Sequence, residues 1–192
     1  FAKKYQYVLR ADICQHFASI DHAILLDCLK NKIPEQDIMA LIEKIVSSGD
    51  SVLSDEYEMV WFPGDDLLAR CRPRGLPIGN LTSQFWSNCY LHGFDLFVKR
   101  ELGCKAYLRY VDDFALFSDN KSRLWKWKTA IQSRLATFRL TIHDSSAQVA
   151  PTAIGTPWLG FIIYPQYRKV KARKVHYSTR RLKQRYAAYR AG

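Results

Sequence analysis

The sequence lacks any apolar run approaching the ~20 residues that a membrane-crossing helix needs. It shows no secretory leader, no internal repeat and no low-complexity segment. It has no CxxC pair. Its five cysteines (Cys14, Cys28, Cys71, Cys89, Cys104) are odd in number and widely spaced. That pattern argues against a disulfide framework or a zinc site and for the reducing cytoplasm. The first residue is Phe1 rather than Met, which predicts a fragment or a processed chain. Acidic residues stop altogether after Asp144, while 10 Lys and Arg follow.

What remains is a globular composition. The chain has 192 residues, 48% of them apolar, enough for one sizeable domain or two small ones. Its net charge of +11 is unevenly spread. Residues 1–144 are nearly neutral, with 19 Lys and Arg against all 18 acids. The tail "YRKVKARKVHYSTRRLKQRYAAYR" interleaves Tyr167, Tyr177, Tyr186 and Tyr189 among its cations. Cations for phosphates and aromatic rings for bases form the footprint of nucleic-acid binding. A solvated helix with a basic face accounts for the same residues equally well.

Periodicity predicts a strand over 5–13 that runs into Asp12, then a helix over 19–30 with Ser19 or Asp21 near its start. A second helix is expected over 33–48. Pro34 sits in its first turn, Ile38, Leu41, Ile42 and Ile45 form its apolar face, and Gly49 stops it. Residues 50–79 read as irregular. A long helix follows over about 80–102. Its face of Leu81, Phe85, Asn88, Cys89, His92 and Leu96 mixes apolar and polar groups, as expected beside a site. Strands over 105–111 and 114–118 form a hairpin. A helix over 121–138, an extended segment over 139–150 and a second hairpin over 157–172, turning at Pro165, complete the pattern. The order predicts an α+β fold with a ferredoxin-like split β-α-β sheet carrying an insertion.

The first hairpin contains an oddity. "AYLRYVDDFALFSD" reads as buried strand, yet it places Asp112 and Asp113 side by side in its middle. Buried unpaired carboxylates are costly. In the expected topology Asp12, at the end of its own strand, joins them. Three converging carboxylates repel unless a cation sits among them. A pair of Mg²⁺ ions (with Mn²⁺ as substitute) answers that need. Mg²⁺ takes oxygen ligands, usually one or two carboxylates, and fills its shell with water and phosphates. Two such ions can activate a hydroxyl and stabilise a leaving pyrophosphate. Adjacent acids alone are a weak signal, because most sit in exposed turns. The apolar flanks and the upstream Asp12 make the combination specific.

These segments resemble the reverse transcriptases. "LRADICQHFASIDH" is similar to their first palm motif, "RGLPIGNLTSQFWSNCYL" to the second, and "YVDD" (110–113) to the third. "LTIHDSSAQVAPTAIGTPWLGFII" resembles the fourth and fifth. Within that family, "IGNLTSQ" (78–84) resembles the enzymes of diversity-generating retroelements. The resemblance implies a right-hand polymerase palm with partial helical fingers over 1–172 (fingers insertion about 22–80). It leaves 173–192 as the basic start of a thumb or linker. It implies RNA-templated DNA synthesis, with an RNA template, a DNA primer and deoxynucleotides (dNTP) as partners, no membrane, and a small basic accessory protein.

The resemblance also implies roles. Asp12 and Asp112 are the main metal ligands, Asp113 is the third acid, and the carbonyl of Ile13 completes a site. Tyr110 lies against the primer terminus. Phe17 is the steric gate against a ribose 2′-hydroxyl, although by residue type alone it is an ordinary core phenylalanine. Ile78 and Gly79 border the templating base pair. Most relatives carry Gln at the position of Ile78, and losing its hydrogen bond implies low fidelity opposite template adenine. Packing of a turn is the other reading of Ile78. Ser83, Gln84 and Asn88 face template or nucleotide. Arg109 and Arg74 are either phosphate contacts or solvated surface. Arg168, Lys169, Lys171, Arg173 and Lys174 are basic nucleic-acid contacts.

One departure concerns the fourth motif, whose usual lysine falls on Ser146. Serine is a poor acid at neutral pH, which leaves His143 as the candidate general acid. Three functional readings stay open. The first is a diversity-generating reverse transcriptase. The second is a group II intron, retron or phage-defence type. The third is a degenerate palm kept as an RNA-binding module. The gate assignment predicts that Phe17→Ala admits ribonucleotides; an incorporation assay with unchanged dNTP/rNTP selectivity contradicts it.

Overall fold

The computed structural model describes residues 1–49 and 53–190. Residues 50–52 of the irregular segment and 191–192 of the tail lie outside the described residues. The chain forms β1 (Tyr7–Asp12), α1 (His16–Ser19), α2 (His22–Lys30) and α3 (Gln36–Ser47), then an irregular stretch containing short 3₁₀ turns at Ser54–Glu56 and Leu67–Cys71. There follow α4 (Leu81–Leu96), prolonged by a π turn at Phe97–Glu101, β2 (Tyr107–Tyr110), β3 (Asp113–Ser118) and α5 (Lys121–Thr137). The last part is β4 (Gln148–Pro151), β5 (Thr156–Trp158), β6 (Phe161–Ile163), β7 (Arg168–Val170) and α6 (Ala172–Arg190).

The main sheet has the order β2-β3-β1-β4, and every pairing in it is antiparallel. That is the split β-α-β order expected from the sequence. Strand alternation sorts the side chains to two faces. Leu9, Ala11, Phe114 and Leu116 enter the main core with Tyr90, Phe94, Leu124 and Ile131 from the helices. Val8, Ala115 and Phe117 turn to the other face, against Tyr5 and Trp158. Phe94 stands edge-on to Phe114 at 5.3 Å, a geometry that favours contact of ring edge with ring face.

Several expectations shift in detail. The helix expected over 19–30 is α2, which starts after Asp21, whose carboxylate accepts the Ile24 N–H at 3.1 Å as N-cap; a separate single turn, α1, precedes it. In α3 the buried residues are Met39, Ile42 and Val46, while Ile38 and Leu41 are exposed. The seam has rotated by one position because the helix packs on α2 through that side, so the apolar residues exceed what the core takes. The 157–172 hairpin belongs to a three-stranded sheet, β5-β6-β7, because Thr156 to Trp158 add a strand before it. Leu159 and Gly160, both at positive φ, make the tight β5–β6 turn. The extended reading of 139–150 holds only for its end, since β4 begins at Gln148.

Two part-buried ionic contacts fasten the irregular stretch to the start of α2 and the end of α5. Arg72 donates to both oxygens of Asp21 at 2.6 and 3.0 Å. Arg139, just past α5, donates to both oxygens of Asp65 at 2.6 and 2.8 Å and packs over the Phe62 ring. Arginine suits this role because its planar fork matches a carboxylate. Hydrogen bonding from Arg139 and from the Phe62 amide drives the Asp65 carboxyl down to about 2. No helix among the described residues is long and apolar enough to cross a membrane.

Candidate active site

The β1–β3 register sets Asp12 opposite Asp113 at the end of the sheet. Both lie on the face of Val8 and Ala115, away from the main core. Arg10, two residues before Asp12 on the same strand and therefore on the same face, donates to Asp113 at 2.5 Å. Asp112 occupies the two-residue turn between β2 and β3, and its carbonyl accepts the Ile13 N–H at 3.3 Å. The third element is the loop before β4. The His143 N–H donates to the Asp12 carbonyl at 3.0 Å, and its imidazole Nε2 stands 4.0 Å from the Asp12 carboxylate.

The electrostatics follow from this crowding. Burial raises the Asp12 pKa above its ordinary value, and the charges of Asp112 and Asp113 raise it further. His143 and Arg10 oppose the rise without cancelling it. Among the described residues, no group of three or more His, Cys, Asp and Glu side chains stands in metal-holding geometry. The donors that do converge are hard carboxylate oxygens whose repulsion Arg10 and His143 relieve only in part. They fit a magnesium-type ion that draws only one or two carboxylates from protein. Asp12, Asp112 and the Ile13 carbonyl would hold it, since Asp113 already has Arg10 as partner.

Around the acids, Phe17 is half-buried and stands edge-on to His16 at 5.3 Å. Its carbonyl accepts the Leu76 N–H at 2.9 Å, which brings the Leu76–Gly79 segment beside it. At the end of that segment Ile78 is 66% exposed, so it packs no turn. Gly79 takes φ 95°, a conformation that glycine adopts without penalty, and α4 starts two residues on. Tyr110 is exposed beside the acid turn. The mixed face expected of α4 is indeed its outer one: Leu81, Phe85 and Asn88 are exposed.

Three residues depart from their expected positions. Ser83 is 1% exposed and turned into the core, so of the Ser83–Gln84 pair only Gln84 reaches solvent. Arg74 is not free solvated surface. It donates to the carbonyls of Ala69, Arg70 and Arg72 and lies 4.2 Å over the Tyr57 ring, clipping its own loop. Arg109 is likewise held inside, paired with Asp95 of α4 at 2.7 Å. Arg74 finds its acceptors within its own loop, whereas Arg109 finds Asp95 14 residues away on α4. The basic residues Arg168, Lys169, Lys171, Arg173 and Lys174 lie on β7 and the start of α6, and α6 buries no residue. Lys169 reaches over the stacked rings of Tyr164 and Tyr167.

Sequence reasoning missed Arg10, Asp95 and His16. The i, i+2 spacing of Arg10 and Asp12 was the available signal for the first. Asp95 carried none, because only the packing of α4 against β2 reveals it. His16 is 3% exposed, its Nε2 is 2.7 Å from the Ser87 hydroxyl, and its Nδ1 has no hydrogen-bond partner.

Comparison with known proteins gives three findings. The family model described as reverse transcriptase (RNA-dependent DNA polymerase) matches residues 2–163. Among solved structures, apo telomerase from Candida tropicalis is similar with a TM-score of 0.55 at 13% identity, over 87% of this chain and 32% of that one. Telomerase from Candida albicans in complex with the TWJ fragment of telomeric RNA is similar with a TM-score of 0.55 at 14% identity, over 88% of this chain and 31% of that one. At such identities the likeness concerns the fold. The chain spans about a third of the length of those telomerase chains. A search of curated proteins found no match.

The buried imidazole generates a pH prediction. Burial, with a smaller contribution from the Arg109 charge, drives the His16 pKa down to about 4. The unfolded chain therefore binds the proton first. His16's contribution to stability is full above pH ~6.5 and declines as pH falls from there to about 4, by at most ~1.4 kcal/mol per pH unit. Urea unfolding across this window should show a smaller slope for His16→Gln than for the parent; equal slopes contradict the assignment.

Proposed function

Because this chain belongs to the reverse transcriptase (RNA-dependent DNA polymerase) family, we propose that its site performs RNA-templated DNA synthesis by attack of a primer 3′-hydroxyl on the α-phosphate of a dNTP. The observation that carries the reading is the register that sets Asp12 opposite Asp113 with Asp112 in the adjoining turn. Two Mg²⁺ ions, or Mn²⁺ in their place, when bound supply activation of the hydroxyl and charge for the leaving pyrophosphate. Asp12 and Asp112 are the principal ligands, assisted by the Ile13 carbonyl. Asp113, neutralised by Arg10, acts as the third acid by holding the hairpin end and its charge in place.

The other roles follow from position. Tyr110, exposed beside the turn, backs the primer terminus. We assign to the half-buried Phe17 ring the role of meeting the sugar of the incoming nucleotide, as the motif resemblance implies. His143, with Nε2 4.0 Å from Asp12, is the group from which a proton can reach the pyrophosphate, in place of the lysine that Ser146 lacks. Ile78, Gly79 and Gln84 border the templating pair. An exposed isoleucine there offers shape without a hydrogen bond, which supports low fidelity and the diversity-generating subtype. Arg168, Lys169, Lys171, Arg173 and Lys174 contact the nucleic-acid backbone. Their exposure, and the cations over Tyr164 and Tyr167, support that role. The RNA-bound telomerase of similar fold supports RNA as template partner. A small basic accessory protein belongs to the same proposal. We assign residues 1–172 to the palm and partial fingers and 173–192 to the start of a thumb or linker. The free state of all five cysteines supports a cytoplasmic location.

A second reading, a palm kept only for RNA binding, draws support from Arg10 on Asp113 and from serine at position 146. Primer extension on an RNA template with Mg²⁺, using the full-length protein, separates the two. Synthesis that Asp112→Asn lowers by ~10³-fold or more supports the enzyme; RNA binding without synthesis supports the binding module. In the same assay Ile78→Gln should lower misincorporation opposite template adenine, and an unchanged error rate there counts against the subtype.

A further inference from the structure

The turn that presents Asp112 adopts an unfavourable backbone conformation. Val111, its first residue, has φ 55°. Asp112 is not at positive φ, so the signs are those of a type II′ turn, whose first position belongs to glycine. For a β-branched residue a positive φ is an outlier that surrounding contacts must enforce.

One side chain supplies that enforcement. Arg109 Nη1 donates to the Val111 carbonyl at 2.9 Å and to the Asn88 side-chain oxygen at 3.1 Å. Its Nε and Nη2 donate to the two oxygens of Asp95 at 2.8 and 2.7 Å. The Tyr107 hydroxyl donates to Asp95 from below at 2.7 Å. The guanidinium is 10% exposed, too enclosed to serve a phosphate in solvent. Asp95 and Asn88 both belong to α4, so the side chain ties the strained peptide to that helix.

We infer that Arg109 is a positioning residue of the nucleotidyl-transfer site, clamping the Val111 peptide so that Asp112 meets Asp12. The inference rests on the reading of Asp112 as a site carboxylate. A lysine cannot replace this group, because its single ammonium cannot grip Asp95 in a fork and reach Val111 and Asn88 together. The strain and the clamp make a matched pair. Glycine at 111 would adopt the turn unaided, so the need for Arg109 should vanish when Val111 is removed.

The test is a double-mutant cycle in the full-length protein: Arg109→Ala, Val111→Gly and both together. Three readouts apply: kcat and KM in primer extension, the rise in Tm on adding MgCl₂, and Tm without magnesium. Arg109→Ala should lower kcat ~10-fold or more, with the KM for dNTP within about twofold, as a displaced carboxylate requires. It should also shrink the magnesium-dependent rise in Tm. Adding Val111→Gly should restore most of both, and should raise the magnesium-free Tm more in the Arg109→Ala background than alone. Failure of Val111→Gly to restore any of these overturns the clamp, as does a folded Arg109→Ala protein with parental kcat and magnesium response. Should Arg109→Ala not fold, Arg109→Lys takes its place with the same expectations. A parent protein that extends no primer refutes the polymerase reading alone. The magnesium-free Tm cycle still decides whether Arg109 restrains Val111.

Discussion

Everything at this site depends on one strand pairing that is unfavourable by itself. Asp12 and Asp113 face each other across the β1–β3 ladder. Like charges directly opposite one another destabilise a sheet. The protein tolerates the pair because Arg10 projects to the same face and engages Asp113, and because the pair sits at the sheet end where water still reaches. Burial, together with the charges of Asp112 and Asp113, still raises the Asp12 pKa.

Three independent segments fix that register. The two-residue β2–β3 turn leaves no slack, so Tyr110 must pair with Asp113. The Ile13 amide bonds the Asp112 carbonyl, and the His143 amide bonds the Asp12 carbonyl. A slip by one residue would send Asp12 into the core beside Leu9 and Ala11, at a prohibitive desolvation cost. Farther out, Asp21 with Arg72 and Asp65 with Arg139 hold the irregular stretch in place. The Phe17 carbonyl then aligns the segment that ends in Ile78 and Gly79. The site is therefore bounded by side chains from β1, the β2–β3 turn, the loop before β4 and the approach to α4.

The sequence made the sheet order and the meeting of the acids legible, because period-two alternation flanked each aspartate and the turn signals lay at strand ends. It also marked the outer face of α4, where polar and apolar residues mix. Most of what it hid depended on tertiary packing rather than on local pattern. The α3 face was misplaced by one position because Ile38 and Leu41 fit the helical period as well as Met39 and Val46 do. Nothing local distinguishes them; packing on α2 decides. Arg74 and Arg109 read as solvent-facing cations because their acceptors are loop carbonyls and a helix carboxylate 14 residues away. Ser83 read as a site residue because it adjoins Gln84, yet one helical step of 100° turns it into the core.

The arginines thus divide by what they touch. Arg10, Arg72, Arg109 and Arg139 are structural counter-ions of specific aspartates, each held in a part-buried fork or pair. The cations of β7 and α6 differ: the β7 residues are exposed, and α6 buries no residue. That contrast separates the cations fixed inside the fold from those at its surface. The central claim is that Asp12 and Asp112, and not Asp113, form the cation site. Anomalous diffraction from crystals grown with Mn²⁺ tests it directly. The account predicts a manganese peak within coordination distance of the Asp12 and Asp112 carboxylates, with Arg10 still on Asp113. A peak on Asp113 with Arg10 displaced, or no manganese near Asp12, would contradict it.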